Sequence, residues 1–383
     1  MGTTSLEAST QPARVSFRHF LGRKTESESC LAHLSAESQA ALRQFSFERL
    51  LGYGVVYADV VELRARVLEG EPWEPAATAL AEIALKQADA ASTASHRATR
   101  VHNLLRASAL LRMSQMMRIV DTPERGNIFA RAATFYGEAA KLQSDRQRVV
   151  IETDSRPLVG WLFPAEGGGF GSAITIGGVE GWAMDFDSIG QALAARGIDT
   201  LMLDGPGQGE TRFHYGHYLD AHWSEAYRSA IDFLERRAPG HRIGFVGNSI
   251  GGSFAMAMAS IDKRVAACCC NGGVIKPTLA RGKTTFFAKM IATCGTSNEE
   301  EAVAAWAAVD PIAPTSDGGY PLLIVQGGMD PMLPTPASEM LLAAAPTDDK
   351  EMVVFSDGDH CIYNHRDDRD ALIADWVRAR LAN

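Results

Sequence analysis

One serine in the sequence has neighbours that suit a nucleophile. Residues 247–251 read Gly-Asn-Ser-Ile-Gly, which is the pattern G-x-S-x-G with Ser249 at its centre. An apolar run at 243–246 precedes the pattern and small residues at 253–257 follow it, which predicts a strand and then a helix. Glycines beside the serine permit a strained turn, because the helix can then pack close to the strand. We interpret Ser249 as a nucleophile; the alternative is an ordinary glycine-rich turn.

A serine hydroxyl attacks when a base removes its proton and a carboxylate orients that base. In proteins with this strand-turn-helix pattern, the acid follows the serine and the histidine comes last. Two histidines follow Ser249 along the chain. His360 lies in a loop directly after the apolar run 352–355, whereas His365 begins a final helix among arginines and aspartates. We predict that His360 is the base and that His365 is solvated at the surface.

The orienting carboxylate is expected just after the strand that precedes the histidine's strand. Asp330 fits, because it comes after a Gly-Gly turn that follows the apolar run 322–325. Asp310 is the rival, but it precedes that strand. Asp357 and Asp359 are too close along the chain to the histidine to be its usual partner. The sequence therefore predicts Asp330 as the acid.

The negative oxygen that forms when a serine attacks a carbonyl needs nearby hydrogen-bond donors. The backbone N–H of Ile250 is one candidate, since it would lie at the N-terminus of a helix. The loop Gly-Gly-Val-Glu-Gly-Trp at 177–182 follows an early strand, and the N–H of Val179 is the second candidate. Glu180 and Trp182 would then border the substrate pocket. The alternative for this loop is a simple strand-to-helix turn.

The glycine-rich runs of the sequence do not match the motifs that bind cofactors. The glycine-rich run 205–209 is not G-x-G-x-x-G, because Glu210 occupies the last position. Residues 282–284 read Gly-Lys-Thr, but Pro277 replaces the first glycine that a phosphate loop requires. We predict no cofactor.

A group of histidines also lacks a metal-binding pattern. His214, His217 and His222 lie near Asp220, but their spacing is not that of an H-E-x-x-H site. We interpret them as loop residues near the pocket and place His217 at its border. We predict no metal ligand.

Composition limits the class of function. The chain has 383 residues, of which 46% are hydrophobic and 22% charged, as in ordinary globular proteins. Lysines and arginines number 37 against 46 aspartates and glutamates, and the net charge of −9 disfavours a nucleic-acid partner. No apolar run reaches the roughly 20 residues that span a membrane, and the first residues lack the apolar core of a signal peptide. Three of the six cysteines are consecutive, at 268–270 in an apolar run, and none forms a C-x-x-C pair. They fit buried small hydrophobes better than a disulfide framework, so we expect a reducing, cytoplasmic location.

The pattern of apolar residues changes near residue 146. Before it, spacings of three and four predict helices in residues 36–68, 73–120 and 128–142, and they predict no strand. We predict a flexible tail over residues 1–25 and a helical domain over residues 26–145.

After residue 146, short apolar runs alternate with helical patterns. The alternation predicts an α/β fold, with a mainly parallel sheet and helices on both faces, over residues 146–383. Residues 271–311 interrupt the alternation and are interpreted as a cap insertion. The predicted strands are 148–152, 158–163, 173–176, 199–203, 243–246, 265–270, 322–325 and 352–355, and the predicted helices are 188–196, 218–237, 249–260 and 367–381.

Together these motifs resemble those of a known family group. They are the nucleophile pattern, the run Asp-Gly-Pro-Gly-Gln-Gly-Glu at 204–210, the loop at 177–181 and the N-terminal helical part. Over about residues 40–382 the chain is similar to the α/β-hydrolases of the 2,6-dihydroxypseudooxynicotine hydrolase, fermentation-respiration-switch esterase and fungal polyketide-shortening hydrolase group.

The resemblance implies an α/β-hydrolase core, an N-terminal all-helical lid domain and often a homodimer. It also implies a Ser–His–Asp triad, which falls on Ser249, His360 and Asp330 in this sequence. Some members of the group cleave carbon–carbon bonds next to a ketone rather than esters. We therefore expect a serine hydrolase that forms an acyl-enzyme from a small-molecule ketone, β-diketone or polyketide-like substrate. The alternatives are a carboxylesterase, an acyltransferase or cyclase in natural-product biosynthesis, and a non-catalytic binding protein with the same fold.

Overall fold

The first part of the chain is helical. The computed structural model describes residues 13–18, 31–167, 169–282, 284–315 and 319–382. We call residues 31–143 the helical region. Its α-helices are α1 (Ala36–Gln44), α2 (Phe47–Gly52), α3 (Tyr57–Leu68), α4 (Trp73–Ala90), α5 (Arg97–Ser114) and α6 (Pro123–Gln143).

Local signals divide the helical region into short helices. The hydroxyl of Ser46 accepts the backbone N–H of Arg49 at 3.1 Å and so begins α2. Gly54, with φ of 87°, turns the chain before α3. The helical pattern predicted over residues 36–68 is therefore divided into three helices, and the pattern predicted over residues 73–120 contains α4 and α5.

The described residues contribute nine strands to one sheet. The strands are β1 (Arg14–Arg18), β2 (Gln147–Ile151), β3 (Leu158–Phe163), β4 (Gly171–Ile176), β5 (Ile198–Asp204), β6 (Ile243–Asn248), β7 (Val265–Asn271), β8 (Leu322–Gly327) and β9 (Lys350–Phe355). Their spatial order is β1-β9-β8-β7-β6-β4-β5-β3-β2. The β2–β3 and β3–β5 pairs are antiparallel, and the other neighbouring pairs are parallel. The predicted α/β fold with a mainly parallel sheet is confirmed.

Helices cover both faces of the sheet. They are α7 (Asp187–Ala194), α8 (Gly209–Phe213), α9 (Trp223–Arg237), α10 (Ile250–Ile261), α11 (Thr284–Thr293), α12 (Glu299–Ala307), α13 (Thr335–Ala344) and α14 (Arg366–Leu381). Buried side chains of α7 and α14 pack in one apolar core with the helical region, and those of α9, α10 and α13 pack in a second core. Successive strand residues alternate between the cores: Cys269 belongs to the first, and Cys268 and Cys270 to the second.

An edge strand lies where the sequence predicted a tail. β1 runs parallel to β9, with Val15 opposite Met352 and Phe17 opposite Val354. The prediction of no strand before residue 146 is thus wrong, as is the flexible tail for residues 14–18; residues 1–12 and 19–25 lie outside the described part. The strand is only five residues long, and Arg14, Val15 and Phe17 are exposed. Pairing with a strand more than 330 residues away stabilises it, which a local pattern cannot reveal.

Buried ion pairs join the helical region to the sheet part. Nε of Arg112 in α5 lies 2.7 Å from Oδ1 of Asp185, and both side chains are almost completely buried. Arg125 in α6 contacts the carboxylate of Glu180 at 3.1 Å with similar burial. Charges of opposite sign must meet there, because a lone buried charge is strongly unfavourable. The two parts therefore pack in a fixed orientation.

In the part of the chain that the structure describes, every helix is too short or too polar to cross a lipid bilayer.

Replacing Arg112 by leucine would leave the buried carboxylate of Asp185 without its cation. We expect the variant to lose about 3–5 kcal/mol in the free energy of unfolding, measured by urea denaturation. The matched control is Arg131→Leu, which breaks a half-exposed pair with Glu82 within the same region. That change should cost less than about 1 kcal/mol. Equal losses in the two variants would contradict the assigned role of the buried pair.

Candidate active site

The turn around Ser249 has room for backbone only. Ser249 connects β6 to α10 with φ of 56° and ψ of −134°, a conformation that residues with a side chain rarely adopt. A Cβ on Gly247 would lie 2.0 Å from the carbonyl oxygen of Gly251, and one on Gly251 would lie 2.4 Å from that of Gly177. Both positions therefore require glycine. The strained turn places the serine hydroxyl beyond the edge of the sheet.

His360 contacts both of its predicted partners. Its Nε2 lies 2.8 Å from Oγ of Ser249, and its Nδ1 lies 2.7 Å from Oδ2 of Asp330. The other carboxylate oxygen accepts the backbone N–H groups of Met332, at 2.7 Å, and Leu333, at 3.0 Å. A carboxylate only accepts hydrogen bonds, so in the neutral imidazole Nδ1 carries the proton and Nε2 accepts from the hydroxyl. This arrangement can move a proton from the serine to the imidazole.

The carboxylate and the imidazole shift each other's pKa. Burial alone would raise the pKa of Asp330, but His360 and the two backbone N–H groups outweigh burial and hold the pKa below its ordinary value. Burial alone would lower the pKa of His360, but Cys361 and the carboxylate of Asp330 outweigh it and raise the pKa. The pair therefore stabilises a carboxylate beside an imidazolium, which is the state that follows proton transfer from the serine.

A strained turn presents His360. Cys361 and Ile362 follow it with φ of 61° and 58°. Such values are costly for residues with side chains and need support from their surroundings. Here the carbonyl of Cys361 accepts hydrogen bonds from Arg369, at 2.7 Å, and Asn271, at 3.3 Å. These bonds hold the histidine against the nucleophile turn.

The two predicted oxyanion donors border the nucleophile. Ile250 is the first residue of α10, so its N–H has no carbonyl partner within the helix. Val179 lies in the loop after β4, next to Gly178. A Cβ on Gly178 would lie 2.8 Å from Cβ of Ser249, so the loop backbone packs directly on the serine. Both residues therefore lie next to the nucleophile in the chain or in space, and the role of their N–H groups as oxyanion donors stays a prediction.

Two cavities meet at the nucleophile. The polar cavity, of about 200 Å³, is lined by Arg49, Glu180 and Lys289 as well as by Ser249 and His360. The apolar cavity has about 210 Å³. Its walls include Val274, Ile275, Leu333 and Pro334, and Ser249 and His360 line it too. The hydroxyl can thus reach a carbonyl whose two substituents lie in different surroundings.

Of the predicted pocket residues, the structure brings only Glu180 to the cavity. Trp182 is fully buried and packs on Phe129 and Phe213, with ring centroids 4.8 and 5.5 Å apart. His217 lines neither cavity, and burial lowers its pKa. The placement of Trp182 and His217 at the pocket border is therefore wrong. Phe129 of the helical region packs on the Trp182 ring and so keeps it in the core rather than at the cavity.

The alternative acid and base lie elsewhere. His365 is half-buried rather than fully solvated, and its Nε2 lies 2.8 Å from Oδ1 of Asp357. Asp310 is exposed and accepts the backbone N–H of Ile312 at 3.1 Å. Among the residues described, no group of three or more histidine, cysteine, aspartate or glutamate side chains could hold a metal ion.

The polar cavity residues that sequence reasoning missed include two cations and a tyrosine. Arg49 and Tyr53 come from α2 and its end, and Lys289 comes from α11. Lys289 lies inside the predicted cap insertion 271–311, which was the available signal for it. A single arginine in a helical pattern is typical of a solvated face, so Arg49 gave no signal.

The raised pKa of His360 predicts how the reactivity of Ser249 depends on pH. Only the neutral imidazole can accept the serine proton, so the rate of labelling by a fluorophosphonate probe should rise with pH. The midpoint should lie above the ordinary histidine pKa of about 6.5. Ser249→Ala, the control, should not be labelled. A labelling rate that stays constant between about pH 6 and about pH 9 would contradict the proton transfer.

Comparisons with known proteins agree with this geometry. The model of the Alpha/beta hydrolase family matches residues 167–375. The chain is 29% identical over 262 residues to 2,6-dihydropseudooxynicotine hydrolase of Paenarthrobacter nicotinovorans, a match that covers 65% of this chain and 68% of the relative.

Solved structures give the same result. The crystal structure of 2,6-dihydroxy-pseudo-oxynicotine hydrolase is similar with a TM-score of 0.76 and 26% identity, over 88% of this chain and 96% of that one. The wild-type AbyA5 structure has a TM-score of 0.66 at 16% identity, over 89% of this chain and 99% of that one, and shares the fold. The strand order, the nucleophile turn and the family match lead to one conclusion: the chain belongs to the alpha/beta hydrolase family.

Proposed function

We propose that this chain is a serine hydrolase that cleaves a carbon–carbon bond next to a ketone through an acyl-enzyme. The observation that carries the proposal is the hydrogen-bonded series from Ser249 through His360 to Asp330, placed where two cavities meet. The similarity to 2,6-dihydropseudooxynicotine hydrolase supports this reaction, because the group that the sequence resembles includes enzymes that cleave such bonds.

The proposed reaction has two stages. Oγ of Ser249 attacks the ketone carbon while Nε2 of His360 takes the hydroxyl proton, and Asp330 stabilises the imidazolium. When the carbon–carbon bond breaks, its electron pair leaves with the departing carbon as an enolate or stabilised carbanion. His360 returns its proton to that group. Water, activated by the same imidazole, then hydrolyses the acyl-enzyme and regenerates the serine.

The run at 204–210 supports Val179 as an oxyanion donor. Nε2 of Gln208 donates to the carbonyls of Gly177, at 2.9 Å, and Gly178, at 2.7 Å, while its Oε1 accepts the N–H of Gly205 at 2.9 Å. In a trans peptide, the N–H of Val179 points opposite to the carbonyl of Gly178. It therefore points away from Gln208. Gln208 is a positioning residue in this proposal, and one oxyanion donor is typically worth about 3 kcal/mol.

The position of the helical region supports the proposal that this region acts as a lid over the site. Gln44, Arg49 and Tyr53 form one wall of the polar cavity, so the helical region covers the site on that side. Exclusion of water strengthens the electrostatic interactions in the site and protects an enolate from premature protonation. If water were excluded from the acyl-enzyme as well, an amine or alcohol could take the acyl group, which would make the chain an acyltransferase or cyclase.

Product analysis tests the proposal. Wild-type protein and Ser249→Ala should be incubated with matched aryl ketones, β-diketones, aryl esters and acyl thioesters. We expect carboxylic acid and ketone products from a β-diketone, with a loss of at least about a thousandfold in the variant. Cleavage of the esters alone would establish a carboxylesterase. A product that requires an added amine or alcohol would establish a transferase, and no turnover together with no probe labelling would leave a binding protein.

Replacing Gln208 by methionine should loosen the loop that carries Val179. We expect kcat to fall about tenfold or more with little change in KM, because the lost interaction acts on the transition state. The matched control is Gln191→Met, which removes an exposed glutamine on α7 and should leave kcat unchanged. A change confined to the thermal midpoint, with kcat unaltered, would assign Gln208 a purely structural role.

A further inference from the structure

An arginine faces the polar cavity without an acidic partner. Nε and Nη2 of Arg49 donate to the hydroxyl of Tyr53 at 3.3 and 3.0 Å, and Nη1 donates to the carbonyl of Gln44 at 3.2 Å. Among the described residues, no carboxylate lies within 4.0 Å of this guanidinium. The group has more N–H donors than these three contacts use, so it can still bind an acceptor in the cavity.

A lysine lies in the wall of the same cavity. Lys289 is 4% exposed, and its Nζ donates to the carbonyl of Met116 at 2.9 Å. Within the described part of the chain, no carboxylate comes within 4.0 Å of this ammonium group either. The pKa of Lys289 is lowered to about 8, because burial outweighs the opposing charge of Glu180 and the charges of Arg49 and Arg125 act in the same direction as burial. The environment of Lys289 therefore contains an excess of positive charge.

The acidic residue at this wall already has a partner. Glu180 is the one carboxylate among the described residues that line the polar cavity. Both of its oxygens accept from Nη2 of Arg125, at 3.2 and 3.1 Å, and Arg125 is completely buried. Glu180 is thus paired with a third cation, and Arg49 and Lys289 have no carboxylate of their own; the guanidinium of Arg49 packs instead against aromatic rings, 5.2 Å from the centroid of Tyr53. Two cations without a carboxylate partner in one partly enclosed cavity favour a ligand that supplies negative charge.

The opposite cavity has one charged residue in its walls, Lys276, and that residue is exposed to solvent. Phe286 and Met332 line both cavities and separate them beside Ser249. Beyond them, Val274, Ile275 and Leu333 give the second cavity mainly aliphatic walls. The nucleophile therefore lies between a cationic site and an apolar site.

We propose that the polar cavity binds a carboxylate of the substrate through Arg49 and Lys289, so that the chain acts on carbonyl compounds with a carboxylate on one side of the reacting carbon and an apolar group on the other. The planar guanidinium of Arg49 suits the two oxygens of a carboxylate, and the ammonium group of Lys289 adds a point charge. This inference names the substrate class of the proposed function and rests on it for the reaction, but the binding step can be tested separately.

Equilibrium binding to Ser249→Ala tests the inference without any chemistry. The probes are γ-benzoylbutyrate, an aryl ketone with a carboxylate, and its methyl ester, which has nearly the same shape without the charge. Isothermal titration calorimetry should give a Kd at least about tenfold lower for the acid, since hydrogen bonds to charged groups are the stronger ones. Adding Lys289→Met to the Ser249→Ala protein should reduce this preference for the acid about tenfold, and adding Arg49→Met instead should have the same effect.

Controls separate the site from general effects. Lys86→Met removes the same charge from an exposed position of α4 and should leave both Kd values unchanged. Circular dichroism and thermal unfolding identify any variant that fails to fold; the two single variants provide independent tests. Displacement of the acid by equimolar phosphate would show a general anion site and would overturn the assignment to substrate.

Several results would overturn the proposal. They are a methyl ester that binds as well as the acid, an acid that does not bind, and an acid preference that survives both substitutions. A lack of Ser249-dependent turnover with intact, Lys289-dependent binding would instead refute the proposed reaction and retain the carboxylate site. The two failures are therefore distinguishable.

Discussion

The absence of space around Ser249 is the constraint on which the rest of the site depends. Its positive φ holds the hydroxyl above the sheet, and no Cβ can be added at Gly178, Gly247 or Gly251 without collision with neighbouring backbone or with Ser249. The loop after β4 must therefore lie directly against the serine. This contact determines where the N–H of Val179 lies, where Gln208 binds the loop, and where both cavities open.

The sheet supplies the second level of organisation. β6, β8 and β9 are parallel, so their carboxyl ends share one edge, where Ser249, Asp330 and His360 follow them. The sequence alone was enough to predict that these three residues lie together, because each of them comes shortly after a short apolar run. The alternation of those runs with helical patterns likewise predicted the fold class. Local pattern carries this information, since a strand and the turn after it are encoded by adjacent residues.

What the sequence did not predict depends on contacts between distant parts of the chain. β1 is stabilised by β9, and Arg49 reaches the cavity because the helical region packs on the sheet through pairs such as Arg112–Asp185. A tryptophan in a loop beside the nucleophile is typical of a pocket wall, yet Trp182 packs against Phe129 of the helical region. A buried lysine such as Lys289 has the same local pattern as a solvated one. Only tertiary packing distinguishes these cases.

The packing of the helical region on the end of the chain also bears on how the protein matures. The guanidinium of Arg366 donates to the carbonyl of Leu51, a contact between residues 315 positions apart. The walls of the polar cavity likewise come from residues as early as Gln44 and as late as Tyr363. Contacts of such high sequence separation form late and slowly in folding. During synthesis, Gln44 and the serine turn both precede His360, so the nascent chain holds no competent nucleophile until the segment that carries this base has emerged from the ribosome.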